Sequence, residues 1–334
     1  MADAVVTVTP RGLYCPAGDF YIDPWQPVAK AVITHAHGDH ARSGSELYYA
    51  AAASKEILLR RLGPATQVRS LEYEEAIQLK GTRVSLHSAG HVLGSAQVRI
   101  EADDSVWVIS GDYKRAADPT CAPLRVQQCD TFITEATFAL PAYAWPDTRQ
   151  VVGEIYDWWQ QNRRQGLASV LCCYALGKAQ RVLAELLPFT NETVYVHGTI
   201  TPIVEIYRAA GIAMVPTHHV ETDAPRGKRK DYSGALIIAP PSASGSPWMR
   251  RFGACAVGFC SGWMRIRGNR RRQGYDRGFV LSDHVDWPGL LATVHATGAK
   301  RILTTHGYSD ALVRYLREQG VAADALSTQY GAEE

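Results

Sequence analysis

Charge of one sign, long apolar runs and paired cysteines are all scarce in this sequence. Its 334 residues carry 35 Lys+Arg against 33 Asp+Glu, a net charge of +2. That balance excludes a globally basic or acidic chain, so any basic surface has to come from local clustering. No apolar run approaches the roughly 20 residues needed to span a bilayer, which argues against a helical membrane protein and leaves no membrane partner expected. The stretch MADAVVTVTPRG has neither the basic nor the apolar region of a signal peptide. The seven cysteines are odd in number, form no CxxC pair and sit among apolar neighbours. Reduced thiols are therefore expected, not a disulfide framework or a zinc ribbon. Together these readings set a cytoplasmic protein as the expectation. No repeat or low-complexity segment is evident.

What is present is a dense patch of metal-capable side chains. Thr34-His35-Ala36-His37-Gly38-Asp39-His40 places three histidines and an aspartate within six positions, directly after the β-branched pair Val32-Ile33. In an extended segment His35 and His37 point to the same side, about 7 Å apart along the backbone. Asp39 and His40, beyond Gly38, can turn toward a neighbouring point. Two close ligand pairs on one loop suit two adjacent metal ions better than one, and no packing purpose asks for this arrangement.

The first 140 residues alternate short strand-like runs with turns, among them 31–35, 46–50, 76–79, 82–88, 96–102, 105–110 and 131–136, with one helix at 53–62. Period-2 alternation over 82–102 predicts antiparallel strands with one buried face. From about 148 the rhythm becomes helix, strand, helix, strand, helix, the pattern of βαβ units on a parallel sheet. A polar, basic passage follows at 221–250. From about 278 the strand–helix rhythm resumes with FVLSDH, a helix at 288–297, RILTTH and a helix at 309–319. The expected fold is α/β: an αββα sandwich over 1–140 and 277–334, interrupted by an inserted α/β domain over 141–276.

Four further positions repeat the opening format, a metal-capable group at the end of an apolar strand. They are His91 in SAGHVLGS, Asp112 in VWVISGDYKR, His284 in FVLSDHVDW and His306 in RILTTHGYSD. A lone histidine in such a place is more often a satisfied core or loop residue. Five such strand ends in one chain are a different matter, because strand-terminal loops are where scaffolds carry chemistry. The remaining histidines, 87, 197, 218, 219 and 295, read as structural or surface residues, His87 being the nearest to a site residue.

These motifs resemble a known family. HAHGDH, Gly90-His91, Gly111-Asp112 and a late strand-end histidine are similar to the metal motifs of the metallo-β-lactamase fold. TEATF (134–138), SDHVD (282–286) and TTHG (304–307) resemble the additional motifs of the β-CASP nucleases, in order along nearly the whole chain. The sequence looks most like the bacterial DNA-ligase-associated exonucleases, similar to the DNA cross-link repair nucleases, and CCYALGKAQR (172–181) agrees with that branch. The resemblance implies that His35, His37 and His91 hold one metal ion and Asp39, His40 and His306 a second, with Asp112 bridging. It also implies catalytic roles for Asp39 and for Glu135 and His284, the last two as a paired acid and base. Asp23, before Pro24, is either a turn residue or a partner that orients a ligand.

A nitrogen and oxygen donor set suits two divalent ions, zinc best, with manganese also accepted. Such a pair suits phosphodiester hydrolysis. The expected activity is that of a metal-dependent DNA exonuclease, 5′-to-3′ by resemblance, acting in repair on single-stranded or end-containing duplex DNA in functional association with a DNA ligase. Gly177 and Lys178 at a helix N-terminus are candidate phosphate ligands. Trp263 with Arg265, Arg267, Arg270 and Arg271 is a candidate base-stacking and phosphate track, and RGKRK (226–230) a second basic cluster. The alternatives are an RNA-processing nuclease of the same fold, which His306 resembles, and a thioester or lactone hydrolase, which would need neither the insertion nor Glu135.

Overall fold

The computed structural model describes residues 4–221, 230–266 and 274–329. They fall into two compact units, Met1–Ala144 with His284–Glu334, and Trp145–Asp283. In chain order the first unit opens with β1 (Thr7–Thr9), β2 (Gly12–Cys15), β3 (Phe20–Ile22), β4 (Lys30–Val32), β5 (Leu47–Ala51), α1 (Lys55–Leu62) and β6 (Val68–Leu71). It continues with β7 (Ala76–Leu79), β8 (Thr82–Ser88), β9 (Ala96–Ala102), β10 (Ser105–Ile109) and β11 (Thr131–Glu135). The second unit contributes α2 (Thr148–Arg164), β12 (Ala168–Cys172), α3 (Lys178–Glu185), β13 (Val194–Val196), α4 (Thr201–Ala209), β14 (Thr217–His219), β15 (Leu236–Ala239), β16 (Cys255–Cys260) and β17 (Arg277–Phe279). The chain returns to the first unit with α5 (Trp287–Thr297), β18 (Arg301–Thr305), α6 (Ser309–Glu318) and β19 (Ala322–Ala325).

Among the described residues the first unit holds two sheets, β1 to β6 in sequence order and β19-β18-β11-β10-β9-β8-β7. Leu13, Phe20, Ile22, Val32 and Tyr49 from the first sheet share one apolar cluster with Val84, Leu86, Val98, Ile100, Trp107, Ile109 and Ile133 from the second. That shared cluster is the filling of a sandwich. The opposite face of the second sheet, with Val108, Phe132 and Ile302, packs against Leu290, Val294, Leu312 and Leu316 of α5 and α6. The alternation expected for 82–102 appears as the antiparallel pair β8–β9, in register from Thr82↔Ala102 to Ser88↔Ala96. β11 is buried on both faces, Phe132 toward the helices and Ile133 toward the sandwich, although only these two of its five residues are apolar.

The sheet of the second unit is parallel throughout, in the order β14-β13-β15-β12-β16-β17. Two of its strands differ from the sequence expectation. Leu236–Ala239 lies inside the stretch read as polar, yet it is a fully buried strand between β13 and β12. These four apolar residues form a central strand because both of its edges are paired. Arg277–Phe279 was expected with the resumed first domain, but it pairs with β16 in the second unit, Cys260 opposite Phe279. No helix among the described residues is long and apolar enough to cross a membrane.

Candidate active site

β4, β8, β10, β11 and β18 all end at the same edge of the first unit. β10, β11 and β18 are mutually parallel, and β8 is antiparallel to β9, which is antiparallel to β10. Their C-terminal ends therefore converge, and the loops beyond them deliver His35, His37, Asp39 and His40 (β4), His91 (β8), Asp112 (β10), Glu135 (last residue of β11) and His306 (β18). Glycines allow the close approach at two of these ends. A Cβ on Gly90 would meet the Lys114 carbonyl oxygen at 2.4 Å, and one on Gly111 would meet Thr34 Cβ at 2.6 Å.

Three ligand-like groups result. Donor atoms of His35, His37, His91 and Asp112 lie within 4.8 Å of one another, as do those of Asp39, His40 and His306, and those of Asp112, Glu135 and His284. Asp112 is the hub. Its Oδ2 lies 3.3 Å from His35 Nε2, 3.6 Å from His40 Nε2, 3.7 Å from His91 Nε2 and 4.0 Å from His284 Nδ1. His91 Nε2 and His37 Nδ1 are 3.1 Å apart, and the His40 and His306 rings stack at 5.2 Å.

Donor chemistry and burial fit divalent cations. His35 Nε2 and Asp112 Oδ1 are buried without a hydrogen-bond partner among the described residues, and such atoms are costly unless something else coordinates them. Burial, with the neighbouring His40, His91 and His37, drives the His35 pKa well down, so its imidazole is neutral, the form that binds metal. Burial also pushes the Asp112 carboxyl up, with Glu135 adding to it, while His40 acts in the opposite sense. His40 shows the field of the site most directly. Burial opposes its charge, yet the carboxylates of Asp112, Asp23 and Asp39 outweigh that and raise it to about 10.

Around the cluster stand residues that orient it. Asp23 resolves the choice left by its sequence: it has a turn-like φ of +43°, and its carboxylate also accepts from His40 Nδ1 at 2.7 Å and from the Thr34 amide at 2.8 Å. With Nδ1 so engaged, His40 turns Nε2 toward Asp112. His306 is a non-glycine residue at φ +61°, followed by Gly307 at +51°, where an added Cβ would meet the Ala136 carbonyl oxygen at 2.3 Å. Strained backbone of this kind concentrates at functional sites. Glu135 Oε2 lies 2.8 Å from His284 Nδ1, and its Oε1 accepts from the Tyr113 amide at 2.8 Å. His284 therefore presents Nε2 away from Glu135. His87 stays apart on β8, where Nε2 meets Ser85 Oγ at 2.9 Å.

In the second unit the candidate phosphate ligands have other partners. Lys178 is buried, with Nζ 2.7 Å from Asp283 Oδ2. Arg181, one turn on, donates to Asp283 Oδ1 at 3.2 Å, to the Ser282 carbonyl at 2.6 Å and to Thr148 Oγ1 at 2.8 Å. The Gly177 amide is engaged by Gln180 Oε1 at 2.8 Å. Lys178 is thus a buried ion-pair partner and not an exposed point charge. Trp263 is half-buried against the apolar cluster of this unit, and Arg265 is exposed. Arg267, Arg270 and Arg271, like residues 226–229 of RGKRK, lie outside the described residues.

No family model matches the chain. A probable DNA ligase of Opitutus terrae is 30% identical over 318 residues, 95% of this chain and 30% of that protein. A ribonuclease of Thermus thermophilus is 27% identical over 219 residues, 56% of this chain and 47% of that protein. The chain belongs to the β-CASP group of the metallo-β-lactamase fold. It spans less than half the length of either of these two relatives. A solved structure from Enterococcus faecalis, titled a protein of unknown function, superposes with a TM-score of 0.60 at 13% identity, covering 90% of this chain and 80% of that one, and agrees with the β-CASP chain in fold alone.

Proposed function

We propose that this protein is a metal-dependent nuclease, and specifically a DNA exonuclease that works 5′-to-3′ in repair alongside a DNA ligase. The observation that carries the reading is the position of Asp112 Oδ2, within 4.0 Å of imidazole nitrogens of His35, His40, His91 and His284. In this reading His35, His37 and His91 hold one divalent ion, Asp39, His40 and His306 a second, and Asp112 serves both. Two divalent ions in such a site activate water near neutral pH and clamp phosphate oxygens. Zinc suits the donors best, and manganese is compatible with the oxygen-bearing half.

The chain's own residues supply the rest. Asp23 fixes the His40 ring, and Asp112 offsets the repulsion between two dications. His284 protonates the departing 3′-oxygen from Nε2 as the P–O bond breaks. Glu135 stabilises the imidazolium form through Nδ1 and so keeps that proton ready. In the second unit Trp263 and Arg265 are candidates for base stacking and phosphate contact, with Arg267, Arg270 and Arg271 as their continuation. Cellular location follows the same reading, a cytoplasmic repair protein.

The ligase name of the Opitutus relative, which matches 95% of this chain, supports DNA as substrate and a ligase as associate. The ribonuclease name of the Thermus relative favours a second reading, an RNA-processing nuclease with the same chemistry. Digestion of 5′- and 3′-labelled DNA and RNA of equal sequence, in Zn²⁺ and in Mn²⁺, separates the two. Mononucleotides released from the 5′ end of DNA support the first reading, and cleavage confined to RNA moves the protein to the second.

A further inference from the structure

The loop that supplies His35, His37, Asp39 and His40 is held from outside by a residue no motif points to. Arg61, on the last turn of α1, donates through Nε to the carbonyl of Ala36 at 2.6 Å. That carbonyl lies between the two histidines of the motif, in a residue fully buried. The same guanidinium lies over Gly38, where an added Cβ would stand 2.9 Å from Nη1, 3.6 Å from Cζ and 3.8 Å from Nη2, its three nearest atoms all belonging to Arg61. Burial lowers the Arg61 pKa, and the Asp39 carboxylate acts in the opposite sense. Gly38 has no left-handed φ, so what glycine supplies at this position is the space the guanidinium fills, not backbone freedom.

We infer that Arg61 is a positioning residue for metal binding: seated on Gly38 and bonded to Ala36, it holds the 35–40 loop in the conformation that presents its ligands. The inference rests on the reading of that loop as metal-binding, and is independent of which nucleic acid is cut. Arginine fits the task because one planar group carries both the Nε donor and the face that covers the glycine. Lysine keeps the charge and loses both. Gly38→Ala approaches the seat from the other side, since its methyl group meets only the end of a flexible side chain.

The test is the affinity for Zn²⁺, measured by competition with a chromophoric chelator, on the full chain and on Arg61→Ala, Arg61→Lys, Gly38→Ala and the Gly38→Ala/Arg61→Ala double variant, each checked for native circular dichroism. Partners that orient metal ligands are typically worth about 10–100-fold in affinity, so each single variant should bind at least about tenfold more weakly. The double variant should be no weaker than Arg61→Ala alone, because both changes empty the same seat. Wild-type affinity in Arg61→Lys or Gly38→Ala, or fully multiplicative losses in the double variant, would overturn the inference. Failure of the unmutated protein to bind zinc would instead overturn the metal reading of the loop itself.

Discussion

Asp23 and His40 are 17 residues apart in sequence and share a 2.7 Å hydrogen bond between Oδ2 and Nδ1, both side chains buried. The Asp23 backbone is in the left-handed region, so the turn that ends β3 is bent to put this carboxylate behind the 35–40 loop. Asp23→Asn keeps the size of the side chain and removes the charge that fixes the His40 tautomer. The variant should bind the second metal equivalent about 10–100-fold more weakly while the first is nearly unaffected. Equilibrium dialysis against Zn²⁺ or Mn²⁺ resolves the two, and unchanged binding of both would reduce Asp23 to a turn residue.

Glu135 and His284 make a second pair, joined at 2.8 Å across 149 residues of sequence. If they act as one proton-transfer unit, His284→Ala should lower turnover by about 10²–10⁴-fold. Glu135→Gln should fall in the same direction, and the double variant should lose little beyond the worse single one. Bound metal, measured by atomic emission, should stay at the wild-type level in all three. Loss of metal in His284→Ala would make the histidine a ligand, a role its membership in the Asp112, Glu135, His284 group also allows.

Lys178 gives the sharpest contrast between sequence and structure. A lysine after glycine at a helix start invites a phosphate-binding role, yet its ammonium is buried against Asp283. Lys178→Met should therefore register as lost stability, about 3 kcal/mol in urea unfolding, the low end for breaking a buried ion pair because Arg181 still faces Asp283. A stable variant with weakened DNA binding would return Lys178 to the substrate path.

The clustering of the site's side chains was largely readable because they sit in local motifs at strand ends. His35, His37, His91, Asp112 and His306 each follow an apolar run, and the strands before them, drawn from two sheets, end at one edge of the first unit, so motifs far apart in sequence meet in space. What escaped depends on pairings with no local signature. Arg61 reads as an ordinary basic residue near a helix end until the Ala36 carbonyl is seen opposite it. Leu236–Ala239 is too short to announce a strand without its neighbours β12 and β13. The ion pair of Lys178 has no local signal either, because its partner Asp283 lies 105 positions away by residue number. Burial, unlike spacing, is decided by the whole fold.

The central claim is that one cluster around Asp112 binds two cations that nucleic-acid hydrolysis requires. Its most direct test is titration of metal-stripped protein with Zn²⁺ or Mn²⁺ while bound metal and hydrolysis of a labelled oligonucleotide are followed together. Hydrolysis should be absent at the start and rise until two equivalents are bound. In Asp112→Asn both quantities should fall, turnover by about 10²–10³-fold, the scale of losing one electrostatic stabiliser. Full hydrolysis by the stripped protein, or saturation at a single equivalent, would contradict the account.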